Sequence, residues 1–269
     1  INFIGGVQTY TNTGTFNTSL SATTINVNGG STLDIASQTI GGLLIFNLKS
    51  NAKLKTSHVN GVSGNFTTSG TKTFNPNSSF EFYGTETNAV TGANMPQSVK
   101  DVTITNSNGV SLSNDLTITG SLVTNSTVKL NSKILTINGN LQINNGGSID
   151  AAPVYGSAST LIYNTGGTYG RWKELDSSTP ANLQLSNNTT LNYPNGAIVE
   201  RTFSGNLTID AGSALYMDYS ISGVNLPLRV NGNVTLNGNL SLGNAAGGDL
   251  YVGGNWSTGV GSNLYANSR

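Results

Sequence analysis

The sequence predicts an all-β chain wound as a parallel β-solenoid (β-helix), with about 19–24 residues in each coil. Three observations predict it. Short runs alternate apolar and polar residues, as in Thr24-Ile25-Asn26-Val27, Val102-Thr103-Ile104, Leu116-Thr117-Ile118 and Leu207-Thr208-Ile209. Such alternation sends one face inward and the other to solvent. Most runs end in Gly or Asn, as in Ile118-Thr119-Gly120, Ile137-Asn138-Gly139 and Val230-Asn231-Gly232. Both residues tolerate positive φ and suit corners. The third observation is spacing. Leu116 and Leu135 are 19 residues apart, and Leu207 and Leu228 are 21 apart. A hairpin meander would return a strand every ~8–12 residues. No stretch carries helical periodicity. A β-sandwich built of repeats is the alternative.

Taken in order, the elements support one segment over residues 1–269. Ile1 opens directly in alternating pattern, so an export signal, if there is one, is expected on residues before it. The runs at Leu183-Gln184-Leu185 and Leu228-Arg229-Val230 continue the pattern. In 230–242, Asn-Gly-Asn corners stand a few residues apart and read as successive sides of one coil. Coils stacked ~4.8 Å apart would build roughly 11–13 turns. Corner Asn residues are expected to form ladders from coil to coil.

Residues 153–200 depart from the pattern. They gather Tyr163, Tyr169, Arg171, Trp172, Lys173, Glu174 and Asp176, with Pro180 and Pro194. This section reads as a loop-rich, irregular part of the solenoid. It is the best candidate for a binding surface, with Tyr163, Tyr169, Arg171, Trp172 and Glu174 as ligand-binding residues. Trp172 and Tyr169 would stack on sugar rings. The plainer alternative is that Trp172 fills a gap in packing.

Residues 61–78 and 251–268 repeat one phrase at an offset of 190. Val62 matches Val252, Gly64 and Asn65 match Gly254 and Asn255, Phe66 matches Trp256, and Phe74 matches Leu264. The first copy runs on into Phe80-Glu81-Phe82, and Ile1-Asn2-Phe3 resembles that continuation. The chain therefore reads as one piece of a longer array, cut near a repeat boundary and stacking on neighbouring repeats of the same or identical chains.

Composition limits the partners and chemistry. The chain is 9% charged, with twelve basic and twelve acidic residues and one His. That balance offers no footprint for nucleic acid or an anionic membrane. No run approaches the ~20 apolar residues of a membrane span. There is no Cys, so no disulfide or thiolate metal site forms. His58 has no carboxylate nearby in sequence and reads as a surface or turn residue. No Gly-x-Ser-x-Gly elbow stands before a helix. Paired carboxylates, as glycosidic cleavage requires, have candidates in Asp150, Glu174, Asp176, Glu200, Asp210 and Asp218. Asp210 and Asp218 come near Arg229 if they lie on adjacent coils. Calcium needs more carboxylates than Gly247-Gly248-Asp249 supplies. The Thr-x-Thr runs are too irregular for an ice-binding array. No catalytic residue, metal or cofactor is expected.

The phrases Phe82-Tyr83-Gly84-Thr85, Leu112-Ser113-Asn114-Asp115-Leu116-Thr117-Ile118-Thr119-Gly120, Leu161-Ile162-Tyr163-Asn164-Thr165-Gly166-Gly167-Thr168-Tyr169 and Leu250-Tyr251-Val252-Gly253-Gly254-Asn255-Trp256 carry a resemblance. They resemble the long, repetitive β-solenoid surface and adhesin-like proteins of Bacteroidota, substrates of type IX secretion. The resemblance spans nearly the whole chain. It implies an extracellular or cell-surface location and a structural or adhesive role in a surface or filament protein, with surface glycans as possible targets. It brings no catalytic motif. The C-terminal sorting domain of such exports has no counterpart here, as expected of a fragment. A polysaccharide-binding or polysaccharide-degrading β-helix is the alternative function.

Overall fold

The computed structural model describes residues 1–10, 23–195 and 199–267. It is a parallel β-solenoid whose chain divides into two compact units, Ile1–Thr136 and Ile137–Arg269. Every strand pairing given for the described residues is parallel. The sandwich alternative fails on that point, because sandwiches are built from antiparallel sheets.

In the first unit, the longest run of paired strands is Val7–Thr9, Thr32–Ala36, Lys53–Thr56, Ser79–Phe82, Asp101–Ile104 and Ser121–Thr124. A second sheet joins Asn2–Phe3, Thr24–Val27, Ile45–Leu48 and Lys72–Phe74. Register is set by the alternation already legible in sequence, because a one-residue slip would turn every apolar side chain outward. Leu33, Leu54, Phe80, Val102 and Leu122 thus lie in one column, each at most 2% exposed. Burying each such side chain contributes ~1.5–3 kcal/mol. Beside the column, the ring of Phe46 stands 4.2 Å from Phe66 and 5.7 Å from Phe74, and Phe74 stands 6.0 Å from Phe80.

In the second unit, the corresponding sheet runs Asn140–Asn144, Thr160–Asn164, Asn182–Leu185, Leu207–Ile209, Val234–Leu236 and Trp256–Thr258. Another runs Thr168–Gly170, Thr190–Asn192, Ala214–Tyr216, Asn239–Ser241 and Asn263–Tyr265. Thr160–Asn164, Thr168–Gly170, Asn182–Leu185 and Thr190–Asn192, all within 153–200, therefore belong to regular parallel sheets. Thr160–Asn164 pairs in register with both Asn140–Asn144 and Asn182–Leu185. Between Gly170 and Asn182, residues 171–181 carry no strand and include a short 3-10 turn, Lys173–Leu175.

Partners on neighbouring coils are 18 to 27 residues apart, from Val110↔Val128 to Leu207↔Val234. Three coils exceed the expected upper bound of about 24: Gln8↔Leu33 spans 25 residues, Leu54↔Phe80 26 and Leu207↔Val234 27. Between Leu54 and Phe80 the extra residues form the helix Gly61–Asn65. Between Leu207 and Val234 they form the turns around Asp218–Gly223.

Two Asn devices recur from coil to coil. On the strands, side-chain amides ladder directly: Asn47 Nδ2 donates to Asn26 Oδ1, and Asn26 Nδ2 to Asn2 Oδ1, both at 2.9 Å. The second unit has such pairs too, Asn164 to Asn144 and Asn263 to Asn239, and at its corners a side-chain-to-backbone ladder. Asn182 Oδ1 accepts from the N–H of Asn206, Asn206 Oδ1 from Asn233, and Asn233 Oδ1 from Asn255, each at 2.8 Å. The preceding residues are Gly205, Gly232 and Gly254. A Cβ there would fall 2.2, 2.5 and 2.5 Å from those same amide oxygens. The recurrent Gly-Asn before a strand is thus a steric and hydrogen-bonding unit.

The doubled phrase is not doubled in structure. In the first copy, residues 61–65 are helical, and Phe66 is 1% exposed against Phe46. In the second, Trp256 opens a strand of the long sheet and is 39% exposed. Ile1-Asn2-Phe3 does not match the placement of Phe80–Phe82 either. Asn2–Phe3 pairs with Thr24–Val27, in the sheet that holds Lys72–Phe74. The repeating unit is the coil. Ser268 and Arg269 lie outside the described residues.

Candidate functional site

The residues singled out at 163–174 assemble mostly inside the second unit. Tyr163, Arg171 and Glu174 are fully buried, Tyr169 is half-buried, and Trp172 is 50% exposed. Alternation explains Tyr163: it takes the inward slot after Leu161 in the run Thr160–Asn164. Tyr193, two residues after buried Leu191, is placed the same way.

Glu174 is the hub. Its Oε1 accepts from the Tyr163 hydroxyl at 2.6 Å and from the Trp172 N–H at 2.8 Å. Its backbone carbonyl accepts from the Tyr155 hydroxyl at 3.0 Å. Burial raises the Glu174 carboxyl above its ordinary range, while these hydrogen bonds and the Arg171 guanidinium pull against that. Burial likewise pushes the Tyr155 and Tyr163 phenols well up, and the negative Glu174 adds to it. Glu174 Oε2 and the Tyr169 hydroxyl are buried with no protein hydrogen-bond partner.

Two guanidinium groups enter the same interior. Arg171 Nε donates to the Tyr193 carbonyl at 2.6 Å, and its NH1 lies 3.3 Å from Asp176 Oδ1. Arg201 donates through Nε to the Leu175 carbonyl at 2.9 Å and stands 5.7 Å from the Tyr193 ring centroid. Asp176 is at the rim, where Lys173 Nζ meets its Oδ2 at 2.7 Å and holds its carboxyl below the usual range.

The geometry limits the chemistry. Tyr169 packs its ring 5.3 Å from Tyr163, with its hydroxyl buried, so it and Trp172 do not present two open faces. The Trp172 ring carries the Lys173 ammonium 5.7 Å from its centroid. The one interior carboxylate is bound by its own chain, and the neighbouring one is held by Arg171 and Lys173. Arg229 pairs with Glu200 and lies 4.2 Å over the Tyr251 ring. Its carboxylate partner is therefore neither Asp210, which accepts from Gln184, nor Asp218, which accepts from Ser241. Among the described residues, no three or more of His, Cys, Asp and Glu gather as a metal site.

Sequence reasoning missed Tyr155 and Tyr193. For Tyr193 the signal was present in the period-2 spacing from Leu191. Tyr155 is placed by the two-residue strand Val154–Tyr155 beside Leu135–Ile137 and by its bond to the 3-10 turn. Compared with known proteins, the chain matches no family model, no curated protein and no solved structure.

Proposed function

We propose that the chain is a non-enzymatic structural and adhesive module of a bacterial surface or filament protein, working by coil-on-coil stacking. The observation that supports this most is the column Leu141, Leu161, Leu183, Leu207, Val234 and Trp256. Its members are at most 1% exposed until Trp256, which is 39% exposed. Leu264 repeats the pattern: it pairs with fully buried Leu240 and is itself 49% exposed. At the other terminus, Ile4 and Val7 are 78% and 68% exposed. A further coil, from the same or an identical chain, would bury these groups and pair the open strand edges. The placement at the cell surface rests on the resemblance of its phrases to secreted adhesin-like proteins.

Sedimentation velocity across a concentration series tests the stacking. Association that rises with concentration and disappears in Trp256→Lys/Leu264→Lys is expected. A chain that stays monomeric throughout, or that associates equally well with both lysines present, would overturn the reading.

A further inference from the structure

The helix Gly61–Asn65 opens a groove of about 490 Å³ on the first unit, lined by Thr39, His58, Ser63, Thr67 and Ser113 among others. That volume lies within the ~300–1,000 Å³ of small-molecule sites. Two glycines keep it open. A Cβ on Gly64 would fall 2.1 Å from His58 Nδ1, and one on Gly92 would fall 2.6 Å from the Ser63 nitrogen.

Four polar groups of the groove, on His58, Ser63, Ser113 and Thr39, share one construction. Each is tied on one side to backbone and keeps its remaining valence unspent. His58 Nδ1 accepts from the Asn60 N–H at 3.0 Å, which assigns the proton to Nε2 as a donor. Ser63 Oγ accepts from the Asn94 N–H at 2.9 Å, and Ser113 Oγ from the Gly92 N–H at 2.9 Å, leaving both hydroxyl protons to give. Thr39 Oγ1 donates to the Gly64 carbonyl at 3.0 Å, leaving its lone pairs to accept. The exposed Thr67 hydroxyl makes no hydrogen bond among the described residues. Side chains anchored in this way are ordered before a ligand arrives, so binding need not pay for fixing them.

The lining also selects by charge. It contains no Lys, Arg, Asp or Glu. Burial lowers the His58 pKa, against a smaller opposing pull from Glu86, so the ring is neutral at physiological pH. A bare cation would lack carboxylates, and an anion would lack a counter-charge. Fixed donors and acceptors beside the apolar Val90 and Ala93 suit a neutral ligand that carries several hydroxyls on a carbon frame.

We propose that this groove binds a neutral saccharide through His58, Thr39, Ser63, Thr67 and Ser113. The site is independent of the stacking described above and is built from residues of the first unit alone.

His58 is the only histidine of the chain, so its ring resonances report this site alone. The intact chain is titrated with cellobiose, maltose and N,N′-diacetylchitobiose, with glucuronate and inorganic phosphate alongside, while His58 is followed by NMR. A saturable shift with at least one neutral disaccharide and none with the charged probes is expected. Thr67→Ala should weaken that binding about fivefold, the loss of one hydrogen bond. Thr67→Trp should abolish it by filling the mouth, with the fold checked by an unchanged thermal transition. Three results would each overturn the proposal: no shift with any neutral disaccharide, a shift with phosphate or glucuronate instead, or a saccharide shift that persists undiminished in Thr67→Trp.

Discussion

The interiors of the two units use different physics on the same backbone plan. In the first unit, Leu33, Leu54, Phe80, Val102 and Leu122 form an apolar column, with Phe46, Phe66 and Phe74 packed beside it. In the second, successive coils bury Tyr163, Arg171, Glu174 and Arg201 in a hydrogen-bonded cluster. An apolar interior is held by area and volume, which many residues can supply. A buried polar cluster is held by specific partners, and each lost partner strands another group in low dielectric. The first interior should therefore tolerate substitution, and the second should not.

The sharpest way to break this comparison is a pair of roughly volume-conserving changes. Arg171→Met strands the Tyr193 carbonyl and removes the cation near the buried Glu174 carboxyl, and should cost about 3–5 kcal/mol. Phe46→Leu should cost under about 1.5 kcal/mol. Urea unfolding of both variants measures the difference, and equal costs would erase the distinction between the interiors.

A smaller effect sharpens it. Burial raises the Glu174 pKa from the ordinary 4.5. A carboxyl raised on folding contributes stability below its unfolded pKa and loses it as pH rises through the folded value. Glu174→Gln, neutral at every pH, should therefore gain stability relative to the parent as pH climbs above 4.5. Thermal unfolding of both proteins from pH ~4 to ~8 checks the sign. A parent that gains on the variant over that range would show that the hydrogen bonds from Tyr163 and Trp172 outweigh desolvation.

The smallest effect lies where the two units agree. Asn206 Oδ1 accepts from the Asn233 N–H in the second unit, and Asp101 Oδ1 accepts from the Ser121 N–H at 2.9 Å in the first. Asn and Asp should be interchangeable at such corners. Asn206→Asp is expected to be near neutral, and Asn206→Ala to cost about 0.5–1 kcal/mol by chemical denaturation. A costly Asp would show that the amide protons matter as well.

Much of this architecture was legible in particular residues. Leu161-Ile162-Tyr163 and Leu207-Thr208-Ile209 announce strands with one inward face, and Gly-Asn before Leu207, Val234 and Trp256 announces the corners. The candidate site was legible only as a concentration of charge and aromatic rings. Treating Tyr163, Arg171 and Glu174 as surface followed their polarity and overlooked the alternation that turns Tyr163 inward. The groove beside His58 left still less trace, because its wall is a five-residue helix, too short to show a helical period.

The amino-acid pattern alone determined the fold class, the approximate coil length and the inward face, because period-2 alternation and corner residues act within a few residues of each other. Tertiary structure alone decided which coil lies against which, and so what each side chain meets. That is why one phrase written twice becomes a helix with buried Phe66 in one place and a strand with exposed Trp256 in the other. The neighbours that bury or bare those rings lie a full coil away in sequence, beyond the reach of any local pattern.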